Sequence, residues 1–252
     1  MKRPRKLLLF DIDGTLVDTG GVGLASLRDG FWEAFPEHCD ASFPSLDLGG
    51  ATDHGVARRL FDHFRIEDSR ERRDHFYASY TTHLERQLHL SSNAGRGRSL
   101  PGVAECLERL SGHGGYCLGL LTGNLRKGAA IKLRHFGLDR HFTAAAGAYG
   151  DDHHDRNELG PIARRRAVEV FGENFPAEDI VVIGDTLRDI ACARAFGAKV
   201  LAVATGAASR NELETGRPDG LMDDLSRIDQ VEQWLQSGGS APTDLQPASG
   251  GG

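Results

Sequence analysis

Long apolar runs are missing from this 252-residue chain. Segments such as LLLF at 7–10 and VVI at 181–183 fall far short of the roughly 20 residues a membrane helix needs, which excludes a membrane-spanning helix. Cysteine is sparse: Cys39, Cys106, Cys117 and Cys192 are widely spaced and form no CxxC pair. Small buried thiols in a reducing compartment are therefore strongly favoured over a zinc site or disulfide framework. Positive charge is also short, with a net charge of -6, and a general nucleic-acid binder needs clustered Lys and Arg. The run Arg164-Arg165-Arg166 sits inside a helical pattern and reads as a solvated face. The basic start MKRPRK leads into a strand instead of a signal-peptide core, so a cytoplasmic location is expected.

What is present is enough for one large domain or two modest ones. From residue 100 onward, strand-like and helical segments alternate. A helix is expected after Pro101, a buried strand at 116–122, a helix from Arg126 to Phe136, a possible strand at FTAAAG (142–147) and a helix from Glu158 to Phe171. Then follow the clear strand DIVVIGD (179–185), a helix from Leu187 to Phe196, the strand KVLAVAT and a last helix marked by Ile228, Val231 and Leu235. This alternation predicts an α/β fold with a parallel sheet covered on both faces. Residues 22 to about 92 break the rhythm. They carry helical patterns at Leu24–Phe35, Asp53–Phe64 and along Phe76, Tyr80, Leu84 and Leu88, with no strand. The expected division is a discontinuous core of residues 1–18 and 99–236, a helical cap of residues 19–98 and a disordered tail of residues 237–252. The apolar cap face serves either as core or as a dimer contact, so monomer and homodimer both stay open.

Ligands of open parallel sheets gather beyond the carboxyl ends of the strands. There the first strand ends in Asp11-Ile12-Asp13-Gly14, the 116–122 strand in Thr122-Gly123-Asn124, and the 179–185 strand in Asp185, with Asp189 one turn further. Acids brought so close repel unless a cation sits among them, and carboxylates completed by water and a phosphate oxygen suit Mg²⁺. Asp11 can then attack phosphorus as a carboxylate nucleophile, while Asp13 remains available for proton transfer. Gly14 lets the backbone approach the phosphate, where N–H groups and the Thr122 hydroxyl bind the transferring oxygens. Any one of these acids alone would be an ordinary turn or cap residue.

FDIDGTLVD, LLTGN and VVIGDTLRDI together resemble the first, second and fourth motifs of the haloacid dehalogenase superfamily, and within it the phosphoglycolate phosphatase group. The resemblance implies a Rossmann-like three-layer core with a mobile cap inserted after the first motif. It implies Asp11 as nucleophile, Asp13 as general acid and then base, and Thr122 as phosphoryl ligand, with Gly14, Gly123 and Asn124 at the substrate. Mg²⁺ would be held by Asp11, the Asp13 carbonyl oxygen and Asp185, with Asp189 in support. A departure concerns the third motif, which normally offers a Lys. None occurs between Lys132 and Lys199, and Asp155-Arg156-Asn157-Glu158-Leu159 stands in its place. Arg156 is the candidate substitute, with Lys127 or another Arg as alternatives.

Three further features stay open. Asp151-Asp152-His153-His154-Asp155 reads as a solvated loop near the rim in preference to a second metal site. Asn124 either touches substrate or caps the following helix. Thr52 or Asp53 is an N-cap, unless that turn faces the site and selects the leaving group. A dehalogenase would not need Asp13 and Asp185, and a Schiff-base phosphonate hydrolase lacks its cap lysine, because no Lys occurs from residue 7 to 126. The expected function is Mg²⁺-dependent hydrolysis of a small phosphorylated metabolite, phosphoglycolate-like by resemblance. A phosphosugar mutase and a phosphate-sensing protein are the alternatives.

Overall fold

The computed structural model describes residues 5–93 and 96–238; the expected tail from residue 239 onward lies outside the described residues. Five strands form one parallel sheet: β1 (Lys6–Phe10), β4 (Tyr116–Leu120), β5 (Ile180–Gly184), β6 (Lys199–Val203) and β7 (Gly220–Met222), in the order β4-β1-β5-β6-β7. Each neighbouring pair is parallel. The two strands between β1 and β4 in chain order, β2 (Val17–Asp18) and β3 (Arg98–Ser99), pair antiparallel in a separate ribbon.

Because successive strand residues point to opposite faces, β1 feeds two apolar layers. Leu8 and Phe10 enter a cluster with Val103, Leu107 and Leu110 of α4 (Val103–Gly112), Leu133 of α5 (Arg126–His135), and Val231 and Leu235 of α9 (Ile228–Gln236). Leu7 and Leu9 enter the other, with Leu159 and Ala163 of α6 (Leu159–Phe171) and Ile190 and Ala193 of α7 (Leu187–Ala195). The sheet is buried on both sides, which is why β1, β4 and β5 read as nearly continuous apolar runs. Register aligns the strand ends: Phe10 pairs with both Leu120 and Ile183. Residues 11, 121 and 184 therefore leave the sheet at one level.

The insertion is helical as its pattern predicts. Helices α1 (Val22–Ala34), α2 (Asp53–Phe64) and α3 (Arg70–Asn93) bury Phe31, Leu60, Phe61, Phe76, Tyr80, Leu84 and Leu88 in a third cluster. Leu125 and Ile131 join it from the core side, so this layer rests on α5. Among the described residues no helix is long and apolar enough to cross a membrane.

Differences from the expected elements are local. The segment at 142–147 is not a strand: Ala144–Ala146 form a 3-10 turn, and only Ala148 bridges to Leu121. The backbone of Ala146 crosses over β4 where a side chain at Gly119 would stand, and alanines carry little strand preference to resist this. The short β2–β3 ribbon, the edge strand β7 and α8 (Arg210–Thr215) had no clear periodicity to announce them.

Gly30 marks a close crossing of α1 and α3. A Cβ there would stand 2.5 Å from the Tyr80 Cα and 2.6 Å from its backbone nitrogen. Gly30→Ala should force α1 and α3 apart and cost about 1–3 kcal/mol, read as a lowered denaturation midpoint; an unchanged midpoint would show the crossing to be slack.

Candidate active site

Asp11 follows β1 directly, its N–H donating to the Ile183 carbonyl at 2.9 Å, and it is 4% exposed. Burial pushes its carboxyl up to about 6, against the lowering pull of Arg156 and the Thr122 hydroxyl. Asp185, after β5, is pushed up to about 8 by burial and by the neighbouring Asp189 and Asp11. Asp11, Asp185 and Asp189 offer oxygens that all lie within 4.8 Å of one another. Like charges at such spacing repel by roughly 3–4 kcal/mol per pair at an effective dielectric near 20. This donor set, all hard oxygen and short of positive charge, fits a divalent cation such as Mg²⁺.

Two glycines shape the wall beside Asp185. Gly14 adopts φ 80, and a side chain at Gly14 or Gly206 would collide with the Asp185 carboxylate. Thr15 donates its hydroxyl to Asp185 Oδ1 at 2.9 Å, and the Thr205 hydroxyl donates to the Gly14 carbonyl at 2.6 Å. Asp189 is fully buried and already engaged on both oxygens. Oδ2 accepts from the Thr186 N–H at 3.0 Å and hydroxyl at 2.6 Å, closing a capping box on α7, and Oδ1 accepts from Arg156.

Arg156 lies on a 3-10 turn (Arg156–Glu158) and reaches inward. Its Nη2 stands 3.1 Å from Asp11 Oδ2 and pairs with Asp189, while Nη1 donates to the Gly50 carbonyl at 3.2 Å. Burial works against its charge, but Asp11 and Asp189 outweigh burial and hold it protonated. Lys127, the alternative, is exposed on α5.

A second cation was not anticipated. Lys132 Nζ donates to Asp13 Oδ2 and to Asn124 Oδ1, both at 2.6 Å. Asn124 in turn donates to Asp13 Oδ2 and Thr122 Oγ1, both at 2.8 Å. Asn124 is thus part of a network around Asp13. The Lys132 side chain is 3% exposed and that of Asp13 44%, so the buried ammonium holds a carboxylate that still opens to the cavity. Lys132 had a faint signal: it falls on the face of α5 with Gly128, Ala129 and Ile131, where a charge needs a partner.

The remaining candidates divide. Thr122 is fully buried. Gly123 packs against the Ala51 carbonyl, and its own carbonyl accepts from the Asp53 N–H at 2.7 Å. Thr52 caps α2, accepting from the Gly55 N–H at 3.0 Å. Asp53 goes further: its Oδ2 accepts from the Leu125 N–H at 2.8 Å, and burial raises its carboxyl to about 6. In the 151–155 loop, Asp152 takes Arg166 and the Tyr149 N–H, and Asp151 accepts from the Arg126 N–H. These acids hold the loop. Among the described residues the only acid, His or Cys group suited to a metal is Asp11, Asp185 and Asp189.

A family model described as haloacid dehalogenase-like hydrolase matches residues 5–197. The chain belongs to that family. It is 28% identical over 220 residues to a phosphoglycolate phosphatase of Mesorhizobium japonicum, covering 85% of this chain and 88% of that one. It is 28% identical over 235 residues to a 5'-nucleotidase of Pseudomonas aeruginosa, covering 89% and 94%. The crystal structure of a hydrolase from Pseudomonas syringae shares the fold with a TM-score of 0.65 at 20% identity, covering 91% of this chain and 99% of that one.

In this haloacid dehalogenase-like hydrolase the two cations bracket the rim, Arg156 at Asp11 and Lys132 at Asp13. Arg156→Ala would leave Asp11 and Asp189 buried without their cation, which should cost about 3–5 kcal/mol. A denaturant titration reads this directly, and a stability equal to wild type would remove Arg156 from its structural part.

Proposed function

We propose that the protein is a Mg²⁺-dependent phosphomonoester hydrolase acting on a small phosphorylated metabolite through an aspartyl-phosphate. The convergence of Asp11, Asp185 and Asp189 within ligating distance, with Asp13 two residues beyond the first, carries this reading. Mg²⁺ held by Asp11, the Asp13 carbonyl oxygen and Asp185 would supply positive charge against the phosphoryl oxygens. Asp189, saturated by Thr186 and Arg156, supports the ligands by position.

An Asp11 carboxylate oxygen attacks phosphorus, forming an acyl phosphate as the bond to the ester oxygen breaks. Asp13 gives its proton to the departing alkoxide. In the second step Asp13 takes a proton from water, the resulting hydroxyl attacks phosphorus, and the bond to Asp11 breaks to release inorganic phosphate. The Thr122 hydroxyl and the N–H groups around Gly14 and Gly123 bind phosphoryl oxygens, and Arg156 offsets charge at Asp11. Lys132 and Asn124 hold Asp13 in line for both transfers.

Residues 19–98 act as the cap over a core of residues 1–18 and 99–236. Contacts between the two support closure: Ala51 against Gly123, Gly50 to Arg156, and Arg188 Nη2 to Asp47 Oδ2 at 2.6 Å. A closed cap keeps bulk water from the acyl phosphate until the alcohol has left. Four free cysteines, three of them buried, support a reducing, cytoplasmic setting.

Asp11→Asn should lower phosphate release from a generic aryl phosphate by on the order of 10³-fold or more while circular dichroism stays native; activity near wild type would take the nucleophile role from Asp11. Excess chelator should silence release and added Mg²⁺ restore it, whereas full activity in chelator would contradict the metal assignment.

A further inference from the structure

The cavity above the acids has a volume of about 280 Å³ and is roofed by the helical insertion. That is just below the roughly 300–1,000 Å³ of pockets for drug-sized ligands, so the group joined to the phosphate is small. From the insertion, Leu24 and Leu27 of α1, Leu48 of the connecting loop, Asp53 of α2 and Tyr80 of α3 line it. Among the described residues, no Lys, Arg or His of the insertion faces this cavity. Its cations are Arg156, committed to Asp11 and Asp189, and Lys132, committed to Asp13 and Asn124.

One further source of positive potential is spent. The first N–H groups of α1 turn back on Thr19: Val22 donates to its carbonyl at 3.3 Å and Gly23 to its hydroxyl at 3.4 Å. Lys132 interacts with Asp53 as well as Asp13, so one ammonium faces two carboxylates. An additional anion on the leaving group would meet a net negative, partly apolar wall. An alcohol would find a carboxylate acceptor at Asp53, and the Tyr80 side chain and leucines for its carbon atoms.

We propose that the insertion selects an uncharged leaving group, a small polyol or sugar, and disfavours one bearing a carboxylate, with Asp53 and Leu24 as specificity-determining residues. This rests on the hydrolase reading above. A matched pair tests it: 2-hydroxyethyl phosphate and phosphoglycolate have nearly the same size and differ in a hydroxymethyl against a carboxylate. For the full chain, kcat/KM should favour 2-hydroxyethyl phosphate by at least about tenfold, the scale of a single charge mismatch. Asp53→Asn, which keeps an acceptor for the Leu125 N–H, should narrow that ratio, and Leu24→Arg, at a position 46% exposed, should narrow or invert it. Phosphoglycolate hydrolysed as well as or better than its neutral partner, or a ratio unmoved by both substitutions, overturns the specificity while leaving phosphatase chemistry in place. Failure to release phosphate from either ester and from an aryl phosphate overturns the hydrolase reading itself.

Discussion

Negative charge gathered beneath a helical roof is the constraint from which the rest of the structure follows. Asp11, Asp185 and Asp189 are held within 4.8 Å at the end of a sheet buried on both faces, where water cannot screen them. Burial, with repulsion from the neighbouring acids, lifts the first two carboxyls well above their ordinary range. Arg156 supplies one internal counter-charge, bonded to two of the three. The remaining deficit makes the three acids a donor set suited to a divalent cation. The same deficit explains the glycines at 14 and 206, because any side chain there would displace the Asp185 carboxylate from the group.

Asp13 obeys a different constraint. It belongs to the same loop but keeps its carboxylate half in the cavity, tied to Lys132 and Asn124. The two acids of one short motif are thus held apart, Asp13 open to the cavity and Asp11 buried beside Arg156. The insertion completes the arrangement. Its 47–53 segment lies against Gly123, Gly150 and Arg156, so the roof rests on the loops that frame the cavity.

Much of this was legible in the chain. Apolar runs bounded by turn residues placed β1, β4, β5 and β6, and four-residue spacing from Phe76 to Leu88 placed α3. Acids following strand ends put Asp11, Asp13 and Asp185 on one rim. What escaped notice was short or unpatterned: β7, the β2–β3 ribbon and α8 are too brief to show a period. The alanines at 144–146 promised a strand that the crossing over Gly119 does not permit. Lys132 lay in plain view within a helix, but its partner is 119 positions away in the chain.

Sequence by itself determined the layered α/β core, the helical insertion and the identity of the acids, because hydrophobic period and strand-end position are local properties that a chain writes along its length. Only the tertiary structure decided which cation meets which acid. Arg156 went to Asp11 and Asp189, Lys132 to Asp13 and Asn124, and Asp53 and three leucines to the far wall of the cavity. Such pairings depend on distance between segments remote in the chain, and burial makes each of them count by removing the water that would otherwise blunt their charge.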